Sequence, residues 1–439
     1  MDGEYMNLPY PKAFLDRMES QLGDEFRDFI RAMNESALHG IRFNPLKPCT
    51  ENSRWMYGNR VPWEENGWYI SADEKPGITI WHEAGAFYLQ DPAAMLPVKV
   101  LMPQPGERIL DLCSAPGGKA TQIGCAMHGK GLLVCNEIVP KRAVILSRNI
   151  ERLGIRNSIV TSARPEILAA RWKNGFDAVL IDAPCSGEGM FRRDPDTRNE
   201  WSPEQAAGCA DRQRDILEAG SQMVRPGGRL VYSTCTFNPD ENENIIHWFL
   251  KKHQDWETEP FRLPETDGRS GMFTCYPHRT KGEGQFAALL RRKGSGISRT
   301  IPDNTLPKAR TEDARRLSDS LPDLAEATHM FGRTLVHTEE IPDLKGLSVY
   351  RIGLHLAELH DKYIVPDHAA AYIAAGSCQT TETDPDTALR YLAGETIPGE
   401  ETGWTVVTCR GMALGWGKGT CGTIKNHYPK GLRNGLLMP

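Results

Sequence analysis

The 439-residue sequence has no Cys-x-x-Cys pair among its 11 cysteines and no short regular cysteine spacing, which argues against a disulfide framework and a zinc cluster. The cysteines read instead as reduced thiols, most of them buried as small hydrophobes. The 12 histidines are scattered, and the nearest group, His355, His360 and His368, lacks a metal-ligand register, so no metal is expected. There is no run of eighteen apolar residues and no charged-then-apolar N-terminus before a cleavage-like site. The expectation is a soluble, cytoplasmic chain with no membrane contact. Internal repeats are absent. The Gly-rich run Asp111 to Thr121 is neither G-x-G-x-x-G nor a P-loop, which removes the dinucleotide and nucleoside-triphosphate fingerprints there.

A net charge of −5 speaks at first against a nucleic-acid partner, because neutralising phosphates supplies most of that affinity. The average conceals a local asymmetry. Glu382, Asp384, Asp386, Glu395, Glu400 and Glu401 face a single Arg390, and then Arg410, Lys418, Lys425, Lys430 and Arg433 occur with no acidic residue after Glu401. The basic footprint is C-terminal.

The length predicts two to four compact units. "FLDRMESQLGDEFRDFIRAM", "GIRFNPLK" and a tryptophan-rich stretch to Trp81 predict a small α+β module in front of the main domain. From about Leu101 to Leu290 the strand-like runs "RILDLC", "GLLVCNE", "SIVTSA", "FDAVLIDAP" and "RLVYSTCTF" alternate with helical stretches such as "KRAVILSRNIERLG". That alternation predicts an α/β fold, a mostly parallel sheet with helices on both faces. Two helix starts are expected, at Ser202-Pro203-Glu204-Gln205 and Asn238-Pro239-Asp240-Glu241, each with a capping side chain followed by proline and then Glu or Gln. Arg291 to Ala314 reads as a linker, and the part after it divides again near Gly376 to Thr387.

"DLCSAPGGKAT", Asp111 to Thr121, is a strand ending in a Gly-rich turn that opens a helix, the place where doubly wound sheets bind ligands. Gly117 and Gly118 permit a close backbone approach. Glu137, twenty residues after Gly117, ends the next strand run, where a carboxylate can accept both ribose hydroxyls. A nucleoside cofactor without phosphates fits, with S-adenosylmethionine the obvious candidate.

Carbon 5 of cytosine is too weak a nucleophile to take a methyl group unaided. A thiolate adding to carbon 6 pushes electrons onto carbon 5, while a carboxyl group at the ring nitrogen and amino group stabilises the adduct. Such chemistry needs a cysteine and an acid at strand ends near the methyl donor. Asp182 and Cys185 in "LIDAPCSGEGMF" supply one set, and Cys235 in "STCTF" puts a second thiol at the same sheet edge. Each thiol lies just past an apolar run, among Ser, Thr and Gly.

"DLCSAPGGKAT", "DAPCSGEGMFRRDP" and "YSTCTFNPDENE" closely resemble the motifs of the Sun-type (NSUN) RNA 5-methylcytosine methyltransferases, and the wider layout resembles the bacterial RsmF branch. "FNPLK" and "GAFYLQDPAAM" resemble the family's N-terminal and pre-catalytic segments. "RIGLHLAELHDKYIVPDHAAA" resembles its intermediate C-terminal domain, and "GWGKGTCGTIKNHYPKGLR" its terminal PUA-like domain. The resemblance implies a Rossmann-like class I methyltransferase domain at 85–294, after an RNA-recognition-like module at 1–84. A linker at 295–314, an intermediate domain at 315–376 and a PUA-like RNA-binding domain at 377–439 complete the expected layout. It also implies nucleophile Cys235, with Cys185 assisting product release. The implied S-adenosylmethionine site comprises Cys113, Ser114, Ala115, Pro116, Gly117, Gly118, Lys119, Glu137 and Asp182, and Lys418, Lys425, Lys430 and Arg433 are the expected RNA contacts.

One departure from the family stands out. Thr161-Ser162-Ala163-Arg164-Pro165 has no acidic residue before Glu166, where the family carries one near the adenine. The expected activity is methylation of a cytosine in 16S ribosomal RNA, on naked RNA or the assembling 30S subunit, by a monomer. Transfer RNA as the target and a non-catalytic ribosome-assembly factor are the alternatives. Intact Asp182, Cys185 and Cys235 argue against the second.

Overall fold

A computed structural model describes residues 10–433 apart from 48, 50–57, 298–305, 322, 323, 325, 375 and 377. The N-terminal helical pattern resolves into two helices, Lys12–Leu22 and Phe26–Met33, broken at Gly23, whose φ of 55° suits glycine. They precede a three-stranded antiparallel sheet of β1 (His39–Phe43), β2 (Gly67–Ile70) and β3 (Phe87–Leu89), ordered β2-β1-β3. The α+β expectation holds. The expected division after residue 84 falls inside this sheet, because β3 comes later and pairs with β1.

The central sheet contains β4 (Arg108–Asp111), β5 (Leu132–Asn136), β6 (Ser158–Ser162), β7 (Phe176–Asp182) and β8 (Val224–Thr234) as a parallel core ordered β6-β5-β4-β7-β8. All five strand-like runs of the sequence are these strands. Their near-continuous apolar residues are buried from both faces, as a parallel sheet requires. Antiparallel β9 (Trp256–Thr258), β10 (Met272–Cys275) and β11 (Gln285–Arg292) extend the β8 edge. The chain leaves β4 to one side for β5 and β6, then returns to the other for β7 and β8. The crevice at the carboxyl ends of β4 and β7 is therefore the switch point where such sheets bind ligands.

After helix Thr311–Ser320, whose first turn falls inside the expected linker at 295–314, come β12 (His329–Phe331), β13 (Thr334–His337), β14 (Ser348–Ile352), β15 (Leu354–Leu359) and β16 (Ile364–Pro366). Four of them form the sheet β12-β13-β15-β16, but β14 pairs with β6 and closes the far edge of the central sheet. The segment expected as a separate intermediate domain thus completes the catalytic sheet. The tail folds as β17 (Thr380–Thr383), β18 (Ile397–Pro398), β19 (Gly403–Cys409), β20 (Met412–Thr420) and β21 (Thr423–Asn426), ordered β17-β19-β20-β21-β18.

These units share cores. Leu317, Leu356 and Ala371 pack with Val406 and Trp416 of the tail, while Ile41, Trp81 and Phe87 of the first module pack with Tyr391, Val407 and Tyr428. Among the described residues, no helix is long and apolar enough to cross a membrane.

Candidate active site

The turn after β4 leads into helix Gly118–Ala126. Gly117 sits at φ 114°, a conformation that favours glycine. A Cβ on Gly118 would fall 3.3 Å from the Tyr88 ring and 3.4 Å from the Gln90 amide, so the turn is a cradle that any side chain would begin to fill. The first module braces it: Arg42 on β1 donates to the Gly118 carbonyl at 2.8 Å and to Thr121 Oγ1 at 2.8 Å, and also bonds Gln90.

A cavity of about 300 Å³ opens here, lined by Cys113, Ser114, Ala115, Pro116, Gly118, Lys119, Asp182 and Cys235. Sequence reasoning had singled out all eight. Gly117 and Glu137 are outside the lining. Glu137 is buried just past β5, where its Oε1 accepts Val139 N–H at 2.9 Å and its Oε2 lies 3.4 Å from Arg142. In the acid-free turn after β6, the Asn136 side chain accepts from Ala163 N–H and donates to Ala163 O, both at 3.0 Å.

Asp182 ends β7. Its Oδ2 accepts Lys119 Nζ at 2.7 Å, and its Oδ1 accepts the Ser233 hydroxyl at 2.7 Å and the Gln285 amide at 3.3 Å. Burial opposes the Lys119 charge, yet the Asp182 carboxylate wins and raises the lysine above its ordinary value. Burial, with Asp182 second, pushes Asp111 up to about 7.

The two thiols meet because β7 and β8 are parallel neighbours with Asp182 opposite Ser233. Cys185 lies three residues past the first and Cys235 two past the second. Their sulfurs are 3.2 Å apart, and Cys235 N–H donates to Cys185 Sγ at 3.3 Å. The loops are cross-tied, with Gly189 N–H donating to Cys235 O at 2.9 Å and Phe237 N–H to buried Glu188 at 3.2 Å. The hydrogen bond to Cys235 and then burial push the Cys185 thiol well up. Cys235 lines the cavity, and Cys185 is not among its lining residues.

One expected helix start holds and one does not. Ser202 Oγ accepts Gln205 N–H at 3.1 Å at the head of helix Pro203–Met223. The second helix begins at Glu243 instead of Pro239. Glu241 is drawn inward to Ser186 and Gln213, and the Asn242 side chain bonds Thr236 O at 2.9 Å, so the backbone turns before it winds.

Other lining residues went unassigned in the sequence, among them Tyr88, Asp91, Met190, Arg193 and Glu283. Asp91 and Tyr88 sit in "GAFYLQDPAAM", noted only as a resemblance. Asp91 Oδ1 accepts Ala93 N–H at 2.8 Å and Ala94 N–H at 3.1 Å, and burial pushes its carboxyl up to about 6. Glu283 is buried and clamps buried Arg192 through both its oxygens, at 2.8 and 2.9 Å. No periodicity marks such residues, because they come together only across elements.

The catalytic region, residues 98–291, matches the family model described as 16S rRNA methyltransferase RsmB/F. Residues 10–92 match the N-terminal domain of 16S rRNA methyltransferase RsmF, and 378–434 the methyltransferase RsmF PUA domain. Ribosomal RNA small subunit methyltransferase F from Aliivibrio salmonicida is 31% identical over 470 aligned residues, covering 98% of this chain and 99% of that one. The chain belongs to the RsmB/F family. The Klebsiella pneumoniae relative of the same name is 33% identical, covering 98% of each chain. A methyltransferase homolog from Pyrococcus horikoshii has a similar fold, with TM-score 0.58 and 28% identity over 66% of this chain and 97% of that chain. This RsmB/F member is an S-adenosylmethionine-dependent RNA methyltransferase, and the Gly-rich cradle fits that cofactor.

On the tail, Lys418, Lys425 and Lys430 are exposed and form no ion pair with a described residue. Lys418 and Lys425 stand directly opposite each other on β20 and β21. The Lys418 ammonium lies 5.3 Å from the Trp404 ring, which meets His427 edge-on at 4.5 Å. Arg433 is occupied internally, donating to Tyr428 O at 2.9 Å and Asn426 Oδ1 at 3.3 Å.

Proposed function

We propose that this protein methylates carbon 5 of a cytosine in 16S ribosomal RNA through a covalent adduct on Cys235. The carrying observation is the unequal placement of two touching thiols. Cys235 is among the residues that line the cofactor cavity, and Cys185, its sulfur 3.2 Å away, is not. When bound, S-adenosylmethionine supplies an electrophilic methyl group. Ser114 to Lys119 would hold its amino-acid end, and Glu137, buried beside the cavity rather than in its lining, would serve the ribose. Cys235 attacks carbon 6. Asp182, fixed by Lys119, Ser233 and Gln285, presents its carboxyl group to the ring nitrogen and amino group, where charge develops. Cys185 removes the carbon 5 proton so that the adduct collapses. The enzyme acts as a cytoplasmic monomer on 16S rRNA or the assembling 30S subunit, and Lys418, Lys425 and Lys430 engage phosphates.

The test separates the thiols. Cys235→Ala should bind cofactor and RNA but give neither methylation nor adduct. Cys185→Ala should methylate once and stay attached as a denaturant-resistant protein–RNA band, which the double variant loses. Adduct retained by Cys235→Ala and lost by Cys185→Ala would make Cys185 the nucleophile. Bisulfite mapping of ribosomal and transfer RNA, with and without the gene, fixes the target. A site found only in tRNA would overturn the 16S assignment.

A further inference from the structure

The run Asn238 to Glu243 follows the nucleophile loop, and Glu241 in it is fully buried. Its Oε2 accepts Ser186 N–H and the Gln213 amide, each at 2.9 Å. Its Oε1 accepts the Ser186 hydroxyl in a short hydrogen bond, and the Asn238 amide at 3.4 Å. Gln213, from helix Pro203–Met223, also donates to Pro184 O at 3.0 Å. The carboxylate is thus the knot that ties the Pro184–Ser186 loop to the turn after β8 and to the helix behind both.

The residues after the two cysteines are joined as well. Ser186 Oγ lies 3.0 Å from Thr236 Oγ1, beside sulfurs 3.2 Å apart. A buried carboxylate is a costly way to hold a loop. Burial pushes Glu241 up, against the bonds from Ser186 and Gln213. What it offers is four acceptor positions at once. Glutamine, of the same shape, would turn an N–H₂ group toward N–H and O–H donors.

We propose that Glu241 is a positioning residue for the release thiol, fixing Ser186 so that Cys185 Sγ is held beside Cys235 for the collapse of the adduct. The proposal rests on the thiol roles given above. In the collapse, Cys185, whose own proton passes to solvent once Cys235 is bonded to carbon 6, takes the carbon 5 proton as a thiolate, and the C5–H electron pair forms the C5=C6 double bond. The C6–S pair leaves with Cys235 as thiolate. Attack by Cys235 uses its own sulfur, but proton removal depends on where Cys185 stands.

The experiment compares Glu241→Gln and Ser186→Ala with Cys185→Ala in the full chain, using S-adenosylmethionine and the RNA the wild type methylates. For Glu241→Gln we expect one methyl group per enzyme at the wild-type rate and later turnovers slowed by about 10-fold or more, as misplacement of a reacting group costs. A denaturant-resistant protein–RNA band should accumulate. Adding Glu241→Gln to Cys185→Ala should change neither first turnover nor band, whereas a merely structural residue would lower both. Ser186→Ala leaves the carboxylate in place, should show the same pattern more weakly, and decides the matter if Glu241→Gln does not fold. Normal turnover without a band, or a first turnover slowed as much as later ones, overturns the proposal. Absence of a band from Cys185→Ala itself brings down the thiol assignment, and this inference with it.

Discussion

At the ends of β7 and β8 the polar side chains are held by protein. Asp182 has three donors, Glu241 four, and the cysteine loops are tied to each other through backbone and side chain. On β20 and β21 the reverse holds: Lys418 and Lys425 face each other across the ladder, a like-charge placement that costs stability. The difference matches the roles proposed for the two regions. Chemistry needs groups fixed before the substrate arrives. A phosphate-binding face works best when its charges have no better partner in the free protein.

The contrast can be broken most severely at its fixed end. Asp182→Asn should lower methyl transfer by about 10²- to 10⁴-fold, the usual worth of a positioned acid–base group, with cofactor affinity and Tm measured alongside. If the rate stays near wild type, Asp182 serves only to pair with Lys119. Glu283→Gln leaves the buried Arg192 guanidinium without its charge partner and should cost about 3–5 kcal/mol of stability, read by denaturant unfolding.

A third test uses pH. Asp111 is held up to about 7, above its ordinary 3.8, so the native protein keeps a proton that the unfolded chain gives up. Its contribution to stability is full below about pH 4 and is lost as pH rises through about 7. Asp111→Asn should therefore gain Tm relative to wild type as pH goes from 5 to 7.5, and a constant difference would refute the linkage.

The smallest effect sharpens the other end. Lys425→Glu replaces the like-charge pair with an opposite one and should add about 0.2–1 kcal/mol of stability. It should also weaken RNA binding and reduce the slope of log affinity against log salt by about one. Equal affinity and slope in the variant would remove Lys425 from the RNA face. Deleting the whole tail is the poorer experiment, because Trp416 and Tyr428 belong to cores shared with other units.

By itself the sequence determined the five parallel strands, because their runs are apolar on both faces. It also determined the Gly-rich turn after β4, because Gly117 takes a backbone conformation that favours glycine, and the helix capped by Ser202. Asp182, Cys185 and Cys235 were legible because the first ends a strand run and each thiol stands just past one, where a polar or reactive residue is conspicuous. Only the tertiary structure decided what depends on neighbours distant in sequence. The parallel pairing of β7 with β8 brings two thiols 50 positions apart into contact, β14 joins β6 across some 190 residues, and Arg433 is spent internally while Lys418 and Lys425 form no ion pair with a described residue. Local pattern fixes an element and the face it buries, but register and strand order come from burial summed over the whole chain, and with them which polar atoms find partners.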